Sequence, residues 1–248
     1  MSSHEAKKKQ KKKWRDRGPL DRLTIIFRAL AFSIMALVVG SIVWAGSYRF
    51  VEPPGTLLML ERKLSGEEVV HPWVALENIS PYLVTAVIAA EDTRFCLHNG
   101  IDFDAIEEAI SEAENGARLR GASTISQQTA KNAFLWNGRS WLRKGGETWM
   151  TFVIETLWPK RRIMEMYLNI AEWGDGNFGA EAAAQKRFGK SANDLTRQEA
   201  ALLAAVLPNP HKWRVDPPGQ YVRGRVVTLR KRMEQVRRDG LDDCAAKK

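Results

Sequence analysis

Residues 91–98, EDTRFCLH, place two adjacent acids, an aromatic and a histidine at the end of PYLVTAVIAA, ten residues without a charge. Val84, Val87 and Ile88 share one face of the helix that this run predicts, and Glu91 continues that face. A carboxylate at a core-facing position loses water, which raises its pKa and suits it to general acid or base work. The plainer alternative is a helix-end glutamate paired with a base such as Arg94. Asp92, His98 and Asp102 are donors of the kind that hold metals. No cysteine–histidine spacing of a zinc site accompanies them, and a lone histidine before Asn-Gly reads as structural.

Two more stretches carry candidate chemistry. In GASTISQQTAKN, residues 121–132, the side chains of Thr124, Gln127, Gln128 and Lys131 recur at helical spacing. Such a stripe is either a solvated surface or a row of donors toward a phosphate or sugar, with Lys131 as a point charge. In GRSWLRKGGE, residues 138–147, Arg139, Arg143 and Lys144 gather ahead of Glu147, which reads as lying at a helix start. These cations suit an anionic ligand, although an ordinary charged surface has the same composition.

The elements that must position these residues are helical. Ser80-Pro81 is a helix start, with Ser80 as N-cap. Phe103, Ile106 and Ile110 form an amphipathic stripe. Thr124 and Gln127 form a capping box for a helix through Phe134, and Thr196 and Glu199 form another before AALLAAVL. Leu142–Trp158 and Arg161–Ile170 read as helices parted at Pro159, and Val222, Val226, Leu229, Met233 and Val236 mark a last one. Gly145-Gly146 blurs one boundary, since each glycine costs a helix ~1 kcal/mol relative to alanine. Alternating strand patterns are scarce, so the fold class is mostly α.

The net charge of the 248 residues is +9. Residues 1–28 hold ten Lys and Arg against Glu5, Asp16 and Asp21, which leaves the remainder at only +2. The basicity belongs to a tail, which argues against nucleic acid as partner. Residues 29–48, ALAFSIMALVVGSIVWAGSY, are uncharged and long enough to span a bilayer as a helix. A cleaved signal peptide, with Ala45-Gly46-Ser47 as the cleavage site, is the competing reading, but its apolar core is usually only about 7–15 residues. The preceding KKKQKKKWRDR sets the N-terminus in the cytoplasm. Cys96 and Cys244 do not define a disulfide framework by themselves.

In order and spacing, EDTRFCLHNGID, GASTISQQTAKN, RKGGE and RRIMEMYLN resemble the signature motifs of the peptidoglycan glycosyltransferases, the lysozyme-like transglycosylases of bacterial cell-wall synthesis. The resemblance covers about residues 70–235. It implies a large helical lobe and a small membrane-proximal jaw lobe after one transmembrane helix, in the monofunctional form without a transpeptidase domain. It places Glu91 as the catalytic base, with Asp92, Phe95 and His98 beside it. Ser123, Thr124, Gln127, Gln128, Lys131 and Asn132 match the second motif. Arg139, Arg143 and Lys144 match the third region, where Glu147 stands for a second essential carboxylate. Glu165, Tyr167, Leu168 and Asn169 match the fourth, and Arg223 and Arg225 match a fifth more loosely.

The implied domains are a basic cytoplasmic tail at 1–28, the membrane helix at 29–48 and a connector at 49–72 with room for one strand. The catalytic domain follows at 73–240, and a polar C-terminal tail at 241–248. The implied partners are lipid II, a polyprenyl-pyrophosphate-linked glycan chain, the bacterial inner membrane and other cell-wall synthesis proteins, with the catalytic domain in the periplasm. No cofactor is evident, and a divalent ion such as Mg is compatible with the reaction without a dedicated site in the sequence. A glycan hydrolase using Glu91 as acid, and an inactive membrane-anchored scaffold, are the competing functions. The cations argue against the first and the two intact carboxylates against the second.

Overall fold

The computed structural model describes residues 18–116, 121–174 and 176–246; most of the basic tail therefore lies outside the described residues. The chain divides into one unit up to Trp44 and a second from Ala45 onward. Helix α1, Pro19–Tyr48, begins ten residues before the uncharged run, with Pro19 in its first turn and Asp21 close behind. Its stretch Leu20–Tyr48 is apolar enough and, at about 1.5 Å per residue, long enough to cross a bilayer.

The connector holds a helix rather than a strand. Thr56 caps α2, Leu57–Leu64, by accepting a hydrogen bond from the Met59 amide at 3.2 Å. Extended pairing here is limited to an isolated bridge between Val70 and Asn177. The remaining helices are α3 Pro81–Glu91, α4 Phe103–Glu114, α5 Ile125–Phe134, α6 Trp141–Leu157, α7 Lys160–Ile170, α8 Ala180–Phe188, α9 Arg197–Val206 and α10 Gln220–Arg238. No sheet forms among the described residues.

The centre of the body is α3, against which α9 and α10 both pack. Every residue from Leu83 to Ala89 is buried, so the helix is enclosed on all sides rather than along one stripe. The small residues Ala200, Ala201, Ala204 and Ala205 of α9 are buried too, and their size permits close approach of helices. Both capping boxes are present, at Thr124 with Gln127 and at Thr196 with Glu199. Ser80 precedes α3 as expected but does not cap it: its hydroxyl donates to the Leu195 carbonyl at 2.8 Å.

Other expectations are corrected. α6 runs through Gly145 and Gly146 without a break. The stripe on α4 faces outward, with Phe103 72% and Ile110 51% exposed. Trp158 is buried in the core, whereas Trp149 is 37% exposed. Cys96 and Cys244 form a disulfide across 148 residues of sequence, and residues 239–246, far from a free polar tail, fold into turns with Ala245 buried.

Candidate active site

Glu91 is the last residue of α3, and the helix ends because Asp92 leaves helical geometry while its amide still reaches the Ile88 carbonyl at 3.0 Å. One Glu91 oxygen, Oε2, accepts a hydrogen bond from the Gln128 amide nitrogen at 3.0 Å. The other, Oε1, is buried and has no hydrogen-bond partner among the described residues. Burial pushes the Glu91 carboxyl above the ordinary glutamate value; the Gln128 bond and the Arg225 charge pull it back, and the Asp92 charge adds to the rise. Glu91 faces a cleft of about 530 Å³ whose charged lining comprises Asp92, Arg94, Asp102, Glu108, Arg225 and Arg232, with Ser123, Thr124 and Gln128 among the polar residues. The pairing of Glu91 with Arg94 does not occur: Arg94 turns to Asp102 and Asp104.

Tyr167 stands behind Gln128. Its hydroxyl reaches the Gln128 carbonyl oxygen at 3.4 Å, which orients the amide so that its nitrogen donates to Glu91. Burial, followed by the Glu91 and Asp92 charges, holds the Tyr167 phenol well above its usual value, so it remains a neutral donor.

Asp92 and His98 hold the frame. The Asp92 carboxylate accepts from the Ile125 amide at 2.9 Å, at the N-terminus of α5, where a negative charge is favoured. It also meets His98 Nε2 at 2.9 Å. Since the Gly100 amide donates to His98 Nδ1 at 3.1 Å, the ring proton of neutral His98 sits on Nε2 and points at Asp92. Gly100 has φ +91°, and a side chain there would meet Thr151 at 2.7 Å, so the turn requires glycine. Its carbonyl accepts from the Thr124 hydroxyl at 2.6 Å.

The donor atoms of Asp92, His98 and Asp102 lie within 4.8 Å of one another. They do not fit a divalent cation such as Mg. The His98 proton and the Ile125 amide occupy Asp92, Asp102 caps α4 through the Ala105 amide at 3.0 Å, and magnesium prefers oxygen donors and water. The three groups brace the turn between α3 and α4 instead.

Other residues singled out in the sequence are interior. Phe95 is fully buried beneath the Lys160 ammonium. The Gln127 side chain turns back to the Thr124 amide. Asn169 is fully buried: its Nδ2 donates to the Val74 and Glu165 carbonyls and its Oδ1 accepts from the Val74 amide. None of these three lines the Glu91 cleft.

A second cluster sits beyond Gln128 along α5. Lys131 is one turn on, with half-buried Asn132 beside it. Glu147 lies in the second turn of α6, not at its start, and is buried with its oxygens taken by Arg143 at 2.7 Å and Lys144 at 2.5 Å. Burial lowers the Lys131 pKa, Glu147 opposes this, and Arg143 and Lys144 lower it further. Glu147 thus holds three cations within electrostatic reach of one another. Arg139 is exposed in the segment between α5 and α6.

A family model described as Transglycosylase matches residues 59–234, from α2 to α10. The chain belongs to the transglycosylase family. It is 57% identical over 226 residues to the biosynthetic peptidoglycan transglycosylase of Rhodospirillum centenum, covering 91% of this chain and 95% of the relative. The relative of the same description from Caulobacter vibrioides is 52% identical over 212 residues, covering 86% and 93%. That from Pseudomonas aeruginosa is 49% identical over 220 residues, covering 86% and 95%. All four motif stretches fall inside the matched segment, as does Arg225. Arg232, two turns further along α10, carried no signal of its own; its seven-residue spacing from Arg225 is what sets both on the cleft side.

Proposed function

We propose that this protein is a membrane-anchored peptidoglycan glycosyltransferase that polymerises lipid II into glycan strands. The observation that carries the mechanism is the buried, unpartnered Oε1 of Glu91, a residue that lines the cleft, next to an Oε2 already fixed by Gln128. The 4-hydroxyl of an incoming lipid II attacks the anomeric carbon of the polyprenyl-pyrophosphate-linked donor. The new C–O bond forms as the bond from that carbon to the pyrophosphate oxygen breaks, with inversion. The hydroxyl proton goes to Glu91 Oε1, and polyprenyl pyrophosphate departs with the bonding electrons.

Lys131, Arg143 and Lys144 neutralise the leaving pyrophosphate, and exposed Arg139 extends this charge at the rim. Glu147 keeps Arg143 and Lys144 in place, because both its oxygens are engaged by them rather than free for a proton. Arg225 and Arg232 give the Glu91 cleft a cationic wall suited to anionic groups of the substrates.

Both substrates are lipids, and α1 keeps the enzyme beside them. Exposed Trp136, Leu142, Phe152 and Trp141, the last 93% exposed, give the segment around α6 an apolar surface of the kind that lies at a membrane interface. The basic segment before α1 and the Cys96–Cys244 bridge both support a cytoplasmic N-terminus and a catalytic domain outside the inner membrane.

The test is incubation of the purified protein with lipid II in detergent. Polymer that grows in the parent and fails to form with Glu91→Gln supports the reading. Shortening of preformed glycan would make the protein a hydrolase, and no turnover of either would make it a scaffold.

A further inference from the structure

We infer that the C-terminal turn, residues 239–246, is a positioning element for Glu91, locked by the Cys96–Cys244 bridge; this rests on the glycosyltransferase reading above. Two attachments join the turn to α3 and its exit, and a third joins it to the segment just ahead of α3. The bridge meets the chain at Cys96, five residues after Glu91, with Cα atoms 5.6 Å apart. Six residues before Glu91, the fully buried Thr85 donates its hydroxyl to Asp242 Oδ2 at 2.5 Å. Arg161 donates to the Ala246 carbonyl and, at 2.7 Å, to Glu77 just ahead of α3.

Packing on the core is interrupted at this joint. A cavity of about 310 Å³ lies between the turn and the start of α3, lined by Leu76, Pro81, Val84, Arg237, Asp242 and Ala245 among others. Ala245, Leu241 and Cys244 pack the turn on the core, and the covalent bond adds a restraint on the side where the cavity interrupts that packing. The place that it restrains is the one where α3 is weakest. Glu91 ends the helix, and only turns separate it from Gly100. Helix ends fray, and a frayed end here carries the catalytic carboxylate with it.

The groups around Glu91 come from several elements: Gln128 of α5, Tyr167 of α7, Arg225 of α10 and its own neighbour Asp92, with Arg94, Asp102, Glu108 and Arg232 in the cleft wall. Their arrangement depends on the place of the α3 terminus. If that terminus relaxes, Glu91 leaves Gln128 and takes up water. It then becomes an ordinary glutamate that is both misplaced and less basic. The cations of α5 and α6 are untouched. Loss of the bridge therefore lowers kcat and leaves KM nearly alone. A chain with reduced thiols is a poor catalyst, and full activity is assembled where disulfides form.

The experiment compares the full-length protein in detergent in three states: oxidised, reduced by dithiothreitol, and Cys244→Ser. The readouts are kcat and KM for lipid II, the acidic limb of the pH–rate profile, and amide hydrogen exchange. The expected result is about a tenfold fall in kcat in the reduced and Cys244→Ser proteins, with KM unchanged within about twofold. The acidic limb should move down toward the ordinary glutamate range, and exchange should quicken at residues 86–98 but not in α8. Equal kcat and an unmoved limb would overturn the inference, as would a uniform rise in exchange or two free thiols in the protein purified from membranes. If Cys244→Ser does not fold, reduction of the folded parent decides alone. If even the oxidised protein makes no polymer, the functional reading fails, and local exchange at 86–98 still decides the positioning claim.

Discussion

Glu91 and Lys131 depart from their ordinary pKa values toward each other, and the pH dependence comes from their signs. The Glu91 value is raised, so the proposed base becomes available only above the usual glutamate range. The Lys131 value is lowered, so its charge is lost below the usual lysine range. The profile of kcat/KM should be a bell with both limbs drawn inward, and Lys131→Gln should remove the alkaline limb while cutting turnover about tenfold to a hundredfold. Glu91 also costs stability. In the folded protein its carboxyl holds a proton to higher pH than in the unfolded chain. The penalty is therefore absent below the unfolded value and grows as pH rises toward the folded one. Glu91→Gln should lose roughly a hundredfold to ten-thousandfold in polymerisation. It should also melt above the parent at neutral pH, with a margin that shrinks on acidification. A variant that melts below the parent at neutral pH, or polymerises at its rate, would contradict the burial argument.

At the scale of elements, α6 tests how local preference yields to packing. Gly145 lies inside the helix, and a methyl group at its Cα would meet nothing within 4 Å, so Gly145→Ala should raise stability by about 0.5–1 kcal/mol in chemical denaturation. Thr124→Ala should lower it by about 1 kcal/mol, since it removes both a cap and the bond to Gly100. The two capping boxes and the five buried residues of α10 were legible in the sequence because capping and periodicity are local. The outward stripe on α4 was not. Periodicity locates an apolar face without saying whether protein or membrane covers it. Likewise Phe95, Gln127 and Asn169 share motifs with ligand-facing residues, and only the fold separates those that turn inward. The Cys96–Cys244 pairing was hidden for the same reason, because the approach of residues 148 apart is set by the packing of α3 with α10.

At the scale of the whole chain, the charge asymmetry, the apolar helix and the disulfide each bear on sidedness by independent physics. Ten cations in residues 1–28 flank the apolar run of α1, and the positive-inside rule keeps such a segment in the cytoplasm. The stretch Leu20–Tyr48 can cross once. The domain beyond α1 carries a bridge that reducing cytosol would open. A reporter active only outside the cytoplasm, fused after Lys248, should therefore be active, and a reporter that needs the cytoplasm should be silent at the same position. In cells unable to form disulfides the external reporter can fail for its own reasons, so a maleimide assay completes the argument. Cys96 and Cys244 should resist labelling in intact cells until a reductant is added, and then label from outside. Activity of the cytoplasmic reporter, or labelling without reductant, would place the catalytic domain on the wrong side of the membrane for the proposed access to lipid II.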